Sequence, residues 1–285
     1  MNEWLPMLAC PTCGSALRSD TKALQCETCH RDYPQTEERV YFLGRSGPSA
    51  VEANPDAASM IKGYRKPNPL VRAARRWITS EYFPGRAWRE ARKTTLAGEG
   101  LCLVLGSGVT RYPRAVHLDL DDYPGVDVIA DAHRLPFADA SMTGVLSEVV
   151  LEHVAHPERV VAEAWRVLRP GGRCFFIVPF IFPFHGQPND YKRWSREGLR
   201  ADFAAFDQLE IGIHGGPCSA MVHLLSEWCY VATGLRFPRA YVPIKGLSTA
   251  LLMPLKFADF FVNRFPEAHR LAATLYVTGV KPSVT

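Results

Sequence analysis

Four of the eight cysteines fall into two close pairs, Cys10-x-x-Cys13 and Cys26-x-x-Cys29, with 12 residues between the pairs. A pair at this spacing forms a tight turn that presents two thiolates, and two such turns can close a tetrahedron around one Zn²⁺. Four protein ligands leave no open position, so the expected metal is structural rather than catalytic. Gly14, directly after the first pair, suits the turn. His30 adjoins Cys29 and is a poorer ligand, because adjacent residues rarely serve the same ion. Disulfides are the alternative, disfavoured in a reducing compartment. Cys102, Cys174, Cys218 and Cys229 are scattered through apolar segments and read as small buried hydrophobes.

A second group starts where the apolar run 101–105 enters Gly106-Ser107-Gly108, and Asp119 closes the next apolar run. The dinucleotide fingerprint carries a third glycine and an acid roughly twenty residues on. Here Thr110 holds the third position, and Asp119 follows Gly108 by only 11 residues. The pattern is either a cofactor loop of another kind or a strand that ends in a turn.

The elements around it decide. Expected strands cover residues 101–105, 115–118, 126–130, 143–147 and 173–179, with a last strand at 273–280. The clearest helix is 157–168: Pro157 suits its first turn, Val160, Val161, Ala164 and Leu168 share one face, and Gly171 should end it. Short apolar strands with intervening helices predict an α/β fold with a parallel sheet covered on both faces. In such sheets ligands bind beyond the carboxyl ends of the strands. Gly106, Gly108, Asp119, Asp131 and Ser147 each sit just past such an end, so they should converge on one crevice. Asp121, Asp122 and Asp127 are read as solvated.

At 285 residues, 47% hydrophobic and 22% charged, the chain suits one large domain plus a small one. The opening MNEWLPMLACP lacks the basic and apolar regions of a signal peptide. The longest apolar stretch, 247–262, is broken by Pro254, Lys256 and Asp259, so no spanning helix is expected and a cytoplasmic location follows. Residues 44–60 have a linker composition. Residues 62–93 hold ten Lys or Arg against Glu81 and Glu90, a local +8 in a chain whose total is +4. Leu70, Val71, Ala74, Trp77 and Ile78 fall at helical spacing there, predicting an amphipathic helix with an arginine face. That face either packs on the main domain or meets anions such as RNA phosphate or lipid headgroups.

Two resemblances add to this reading. LACPTCGSALRSDTKALQCETCHRDYPQTEERVYFL, within residues 7–43, resembles the zinc ribbons of small activator subunits that partner methyltransferases. ADAHRLPFADASMTGVLSEVVLEHVAHPERVVAEAWRVLRPGG closely resembles the class I S-adenosylmethionine-dependent methyltransferases with a VLEHV segment followed by RVLRPGG. That resemblance spans about residues 96–206 plus the closing strand. It implies a Rossmann-like seven-stranded sheet with its last strand antiparallel.

The implied cofactor is S-adenosylmethionine. Gly106 and Gly108, with Ser107 between them, would let backbone approach its methionyl part, since side chains there would collide with it. Asp119, with Leu120 beside it, would take the ribose hydroxyls; Asp131 and Ala132 would flank the adenine, and Ser147 would face the cofactor from the other side. Two departures stand out: no acid occupies 104 or 105, and the segment from Gly108 to Asp119 is too short for a full first helix.

For the chemistry, FPFHGQPNDYKRWS at 182–195 should overhang the crevice after the fifth strand, stiffened by Pro183 and Pro188. It concentrates His185, Asn189, Asp190, Tyr191 and Arg193. Imidazole changes charge near neutral pH, which makes His185 the candidate base, with Asp190 orienting it or else pairing with Arg193 to hold the loop. His153, in LEHV, is a further catalytic candidate or a packed residue near the pocket. The domains expected are a zinc ribbon (1–45), a linker with the basic helix (46–95) and a methyltransferase domain (96–285) with a lid-like insertion at 214–270. The function expected is methyl transfer to a small-molecule or glycan acceptor. The alternatives are ribosomal RNA base methylation, which the basic segment favours, and a non-catalytic zinc-ribbon scaffold for a partner protein.

Overall fold

The computed structural model describes residues 3–20, 22–43, 85–186, 189–234 and 238–283. The linker and the helix expected after Pro69 lie outside them.

The amino-terminal unit is a three-stranded antiparallel sheet of β1 (Leu17–Ser19), β2 (Ala23–Cys26) and β3 (Asp32–Pro34). A two-residue strand, β4 (Val40–Tyr41), leaves this unit and pairs in parallel with β7 (Val128–Ile129) of the main sheet. A helix, α1 (Ala87–Leu96), then leads into β5 (Cys102–Leu105) and β6 (Ala115–Asp119). After β7 come β8 (Met142–Glu148), α2 (Pro157–Val167) and β9 (Leu168–Pro179). The carboxyl-terminal part adds α3 (Arg196–Asp202), β10 (Asp207–Gly215), three helices α4 (Pro217–Val231), α5 (Pro238–Lys256) and α6 (Asp259–Val262), and β11 (Thr274–Val280).

The main sheet runs β10-β11-β9-β8-β5-β6-β7-β4. Seven of its strands, β5 to β11, follow one another from the β10 edge to β7, and β11 is antiparallel to both neighbours as expected. The eighth corrects the expected strand count, because the ribbon donates β4 to the sheet edge. Every residue of β5 is buried, as suits a central parallel strand covered on both faces.

Two boundaries also differ. The strand expected over 126–130 shortens to Val128–Ile129. Helix α2 ends at Val167, and the chain turns extended at Leu168, so β9 begins five residues earlier than expected. Gly171 is therefore no helix cap. Its φ of +76° falls within the first stretch of β9, where the pairing with β8 slips register and Gly171 N–H donates to Lys281.

The ribbon is not a separately packed unit. Trp4, Leu8, Tyr33 and Val40 belong to the same buried apolar cluster as the core strands. Leu8 bridges to Phe137, and the Ala138 N–H donates to the Met7 carbonyl at 2.8 Å. Arg166 on α2 fixes that receiving loop, bonding Glu163, Asp139 and the carbonyls of Phe137 and Leu135.

Candidate functional site

In the ribbon, both cysteine pairs form matching turns. Gly14 N–H donates to Cys10 O at 2.8 Å and His30 N–H to Cys26 O at 3.1 Å; Gly14 and His30 both have positive φ. His30 thus completes a turn and points no ligand at the thiols; the cluster consists of Cys10, Cys13, Cys26 and Cys29. Cys10 and Cys29 sulfurs are 3.6 Å apart and those of Cys13 and Cys26 3.4 Å, all four lying within 4.8 Å of one another. Zn–S bonds of about 2.3 Å would set tetrahedral sulfurs about 3.8 Å apart. The donor set therefore fits a metal ion. Burial opposes ionisation of Cys10, yet the Tyr33 hydroxyl and nearby backbone N–H groups bring its thiol down to about 6.

At the carboxyl ends of β5, β6 and β8 the glycine turn folds back on Asp119. The Asp119 carboxylate accepts from Gly108 N–H at 2.8 Å and from Asp121 N–H at 3.1 Å. Burial still pushes its carboxyl above the ordinary value, against these donors. The Leu120 N–H is a third donor, so of a carboxylate's four or so acceptor positions about one remains for a hydroxyl donor. Leu120, next to it, is exposed.

Gly106 and Gly108 both take positive φ, +60° and +51°. A Cβ on Gly106 would lie 2.4 Å from Val150, whereas one on Gly108 meets nothing within 4 Å. The collision expected with a cofactor is thus, at Gly106, a collision with the protein's own Val150. Ser107 and Ser147 are buried, and among the described residues neither hydroxyl has a hydrogen-bond partner. Two unpartnered hydroxyls and a carboxylate with acceptor room left, around one turn, fit a polar cofactor.

Asp131 accepts from the N–H of His133 and lies 2.6 Å from its Nδ1, with Ala132 between them. It closes that turn. Of the three acids read as solvated, Asp122 is exposed, where it pairs with Arg39 and Tyr41 of the ribbon, whereas Asp127 accepts from the His117 N–H at 2.8 Å and Asp121 is buried.

Beyond β9, Arg193 grips both oxygens of Asp190, and the His185 N–H donates to the same carboxylate at 2.9 Å. Arg193 holds this carboxyl down at about 2, outweighing its burial. Asp190 thus shapes the loop first and faces the His185 ring only at 3.6 Å. The His185 ring points instead at Glu152, with Nε2 3.5 Å from Oε1. His153 stands edge-on to His185, with its Nε2 3.9 Å from the same oxygen. Glu152 is fully buried, and neither of its oxygens has a hydrogen-bond partner among the described residues.

Sequence reasoning missed Glu152. The signal was there in VVLEHV, an acid inside an apolar run. Glu148 was missed as well. At the end of β8 it accepts from the Tyr112 hydroxyl at 2.8 Å and pairs with Arg92.

Comparison with known proteins places this geometry. Residues 106–176 match the family described as a methyltransferase domain. An uncharacterized 37.1 kDa transposon protein of Streptomyces fradiae is 48% identical over 21% of this chain and 17% of its own. A ubiquinone/menaquinone biosynthesis C-methyltransferase of Desulfotalea psychrophila is 45% identical over 21% of this chain and 27% of its own. A malonyl-[acyl-carrier protein] O-methyltransferase of Methylococcus capsulatus is 35% identical over 27% and 28%. The chain spans less than a third of the length of each of these relatives. Among solved structures, a phosphoethanolamine N-methyltransferase of Haemonchus contortus with S-adenosyl-L-methionine superposes with a TM-score of 0.45 at 14% identity, over 80% of this chain and 60% of that one. Residues 106–176, which hold β6 to β8 and most of β9, are the part of the chain that matches this methyltransferase-domain family.

Proposed function

We propose that this chain moves the methyl group of S-adenosylmethionine onto a small-molecule acceptor, with a structural zinc in the ribbon. The observation that carries the reading is the turn at Gly106–Gly108 folded back on Asp119, with two unpartnered buried hydroxyls, Ser107 in the turn and Ser147 on the strand paired with Leu105. When bound, the cofactor supplies an electrophilic methyl group on a sulfonium. Asp119 accepts its ribose hydroxyls, Ser107 and Ser147 take its polar groups from either side, and Asp131 and Ala132 border the adenine. Methyl transfer is an in-line displacement, so the protein's main task is to hold the acceptor in line and manage its proton. The acceptor side falls to His185 and His153, with Glu152 behind them, while Asp190 and Arg193 hold the loop.

Relatives named for a quinone and for a malonyl carrier support an acceptor of that size. Helices α4 to α6, with exposed Trp228, Leu251 and Phe261, supply apolar cover for it. The RNA alternative finds less support among the described residues of the basic segment. Arg92 is turned inward, bonded to Glu148 and lying over Trp88 and Tyr112. No described helix is long and apolar enough to cross a membrane.

Calorimetry tests the reading. S-adenosylmethionine and its demethylated product should bind with micromolar-order affinity. Absence of heat for both, with NADH binding instead, rejects it.

A further inference from the structure

The cluster of Glu152, His153 and His185 raises a problem of charge. Glu152 is fully buried with both oxygens unpartnered among the described residues, and burying a carboxylate without a compensating group is costly. The two imidazoles facing it do not supply ordinary donors. His153 Nδ1 lies 2.5 Å from the Asn189 carbonyl, so it carries the proton and leaves Nε2 as a lone pair. His185 Nδ1 faces the Pro183 carbonyl at 3.4 Å and Asp190 Oδ2 at 3.6 Å. The Arg193 Nη2 lies 3.4 Å from the same nitrogen and also bonds Pro183 and Asp190. In the tautomer whose Nδ1–H faces the Pro183 carbonyl, the buried Nε2 is the lone pair, and it has no hydrogen-bond partner among the described residues. Two nitrogen lone pairs and one carboxylate oxygen converge within 4.8 Å of one another. A bound cation would satisfy all three at once, whereas a proton would satisfy only one pair.

We propose that Glu152, His153 and His185 bind a divalent first-row transition metal ion. Two imidazoles and one carboxylate are the donor set of His₂Glu zinc sites and of facial iron(II) sites. Ligand bonds near 2.1 Å would set tetrahedral donor atoms roughly 3.4 Å apart. The 3.5 and 3.9 Å separations need only a small closure of His153. His153 already has the outer hydrogen bond that metal-bound histidines carry, from Nδ1 to the Asn189 carbonyl, and His185 Nδ1 has the Pro183 carbonyl at 3.4 Å. Three protein ligands leave a position open, unlike the four thiolates of the ribbon. An acceptor hydroxyl coordinated there would lose its proton more readily, which points to an oxygen acceptor. That role rests on the methyl-transfer reading; the binding of the ion does not.

The test uses the full chain with its ribbon loaded with zinc, titrated with Co²⁺ in the absence of any cofactor. One equivalent of Co²⁺ should bind, with the weak visible absorption of nitrogen and oxygen ligation and no intense thiolate-to-cobalt band. Glu152→Gln and His185→Asn, each checked for folding by circular dichroism, should weaken that binding about 100-fold or more while keeping the ribbon zinc. The two variants are independent, so one that fails to fold leaves the other to decide. No bound Co²⁺ in the zinc-loaded wild type, or equal Co²⁺ affinity in a folded variant, overturns the proposal and leaves an imidazolium–carboxylate pair. Co²⁺ binding without methyl transfer to any hydroxyl compound would retain the metal site and remove only its proposed role.

Discussion

The molecule holds two clusters of metal-ligating side chains, and they are built in opposite ways. The four thiols of the ribbon come from two turns within 20 residues, each held by its own backbone bond from the residue after the second cysteine. Glu152, His153 and His185 come from two loops that follow different strands, β8 and β9, and meet only because those strands are neighbours. The first set is soft and complete, so an ion there adds folding energy and nothing else. The second is harder and one ligand short, and it lies beside the crevice. Local closure suits a structural part, and assembly across the sheet suits a part that must face a substrate.

The sharpest way to break this contrast is to remove the ion proposed for the ribbon. Apparent binding energies of structural zinc in small modules run to about 10–16 kcal/mol. Cys26→Ser should therefore unfold the ribbon and release about one zinc per chain, read by metal analysis and circular dichroism. A folded ribbon in the metal-free variant contradicts the structural assignment. At the second cluster, His185→Ala should lower turnover about 10²-fold or more while cofactor affinity, by calorimetry, stays unchanged. Loss of cofactor binding together with folding would mark His185 as structural.

Between the clusters, Asp119→Ala should weaken S-adenosylmethionine by roughly 1.5–3 kcal/mol, as for a hydrogen bond to a charged group. An unchanged dissociation constant would confine Asp119 to bracing Gly108. The two glycines separate packing from backbone strain. Gly106→Ala meets Val150 at 2.4 Å besides its positive φ, whereas Gly108→Ala meets only the φ penalty of about 1–2 kcal/mol. Thermal melts should show Gly106→Ala as the more destabilised, and the reverse order would mean that Val150 yields freely.

A control lies away from both clusters. Burial, aided by Arg92 and Arg89, holds His214 down at about 3, below its usual 6.5. The unfolded chain then takes up a proton that the fold refuses. His214 therefore costs nothing above about pH 6.5, and its destabilisation grows as pH falls from there toward 3, by at most about 1.4 kcal/mol per pH unit. His214→Asn should flatten the fall in denaturation midpoint between pH 6.5 and 5.

How far these features could be read from the sequence follows the same division. The cysteine turns were legible because spacing alone fixes them. The strands were legible from apolar runs, and the conversion of 168–172 from helix end to strand was not, because it depends on pairing with β8 and with Lys281. The glycines at 106 and 108 were visible, but the reason for Gly106 is Val150, a contact made 44 residues away. His185 was visible as a titratable group in a rigid loop. Its partner Glu152 was hidden, because nothing local says that the loops after β8 and β9 fold against one another. Asp127 looked solvated because its partner His117 lies on another strand.

The pairing of β4 with β7 has a further consequence. A bare β7 would end the sheet with unpaired backbone groups, an invitation to self-association. In place, the ribbon covers that edge: Val40 N–H donates to Asp127 at 3.0 Å and Phe42 N–H to Ile129 at 2.9 Å, with Val40 and Val128 both buried. The cysteine turns therefore act at a distance as a guard against clumping. Oxidation or chelation of those thiols would uncover a sticky border on a sheet that is otherwise sound, so damage at the ribbon should show first as turbidity and only afterwards as lost catalysis.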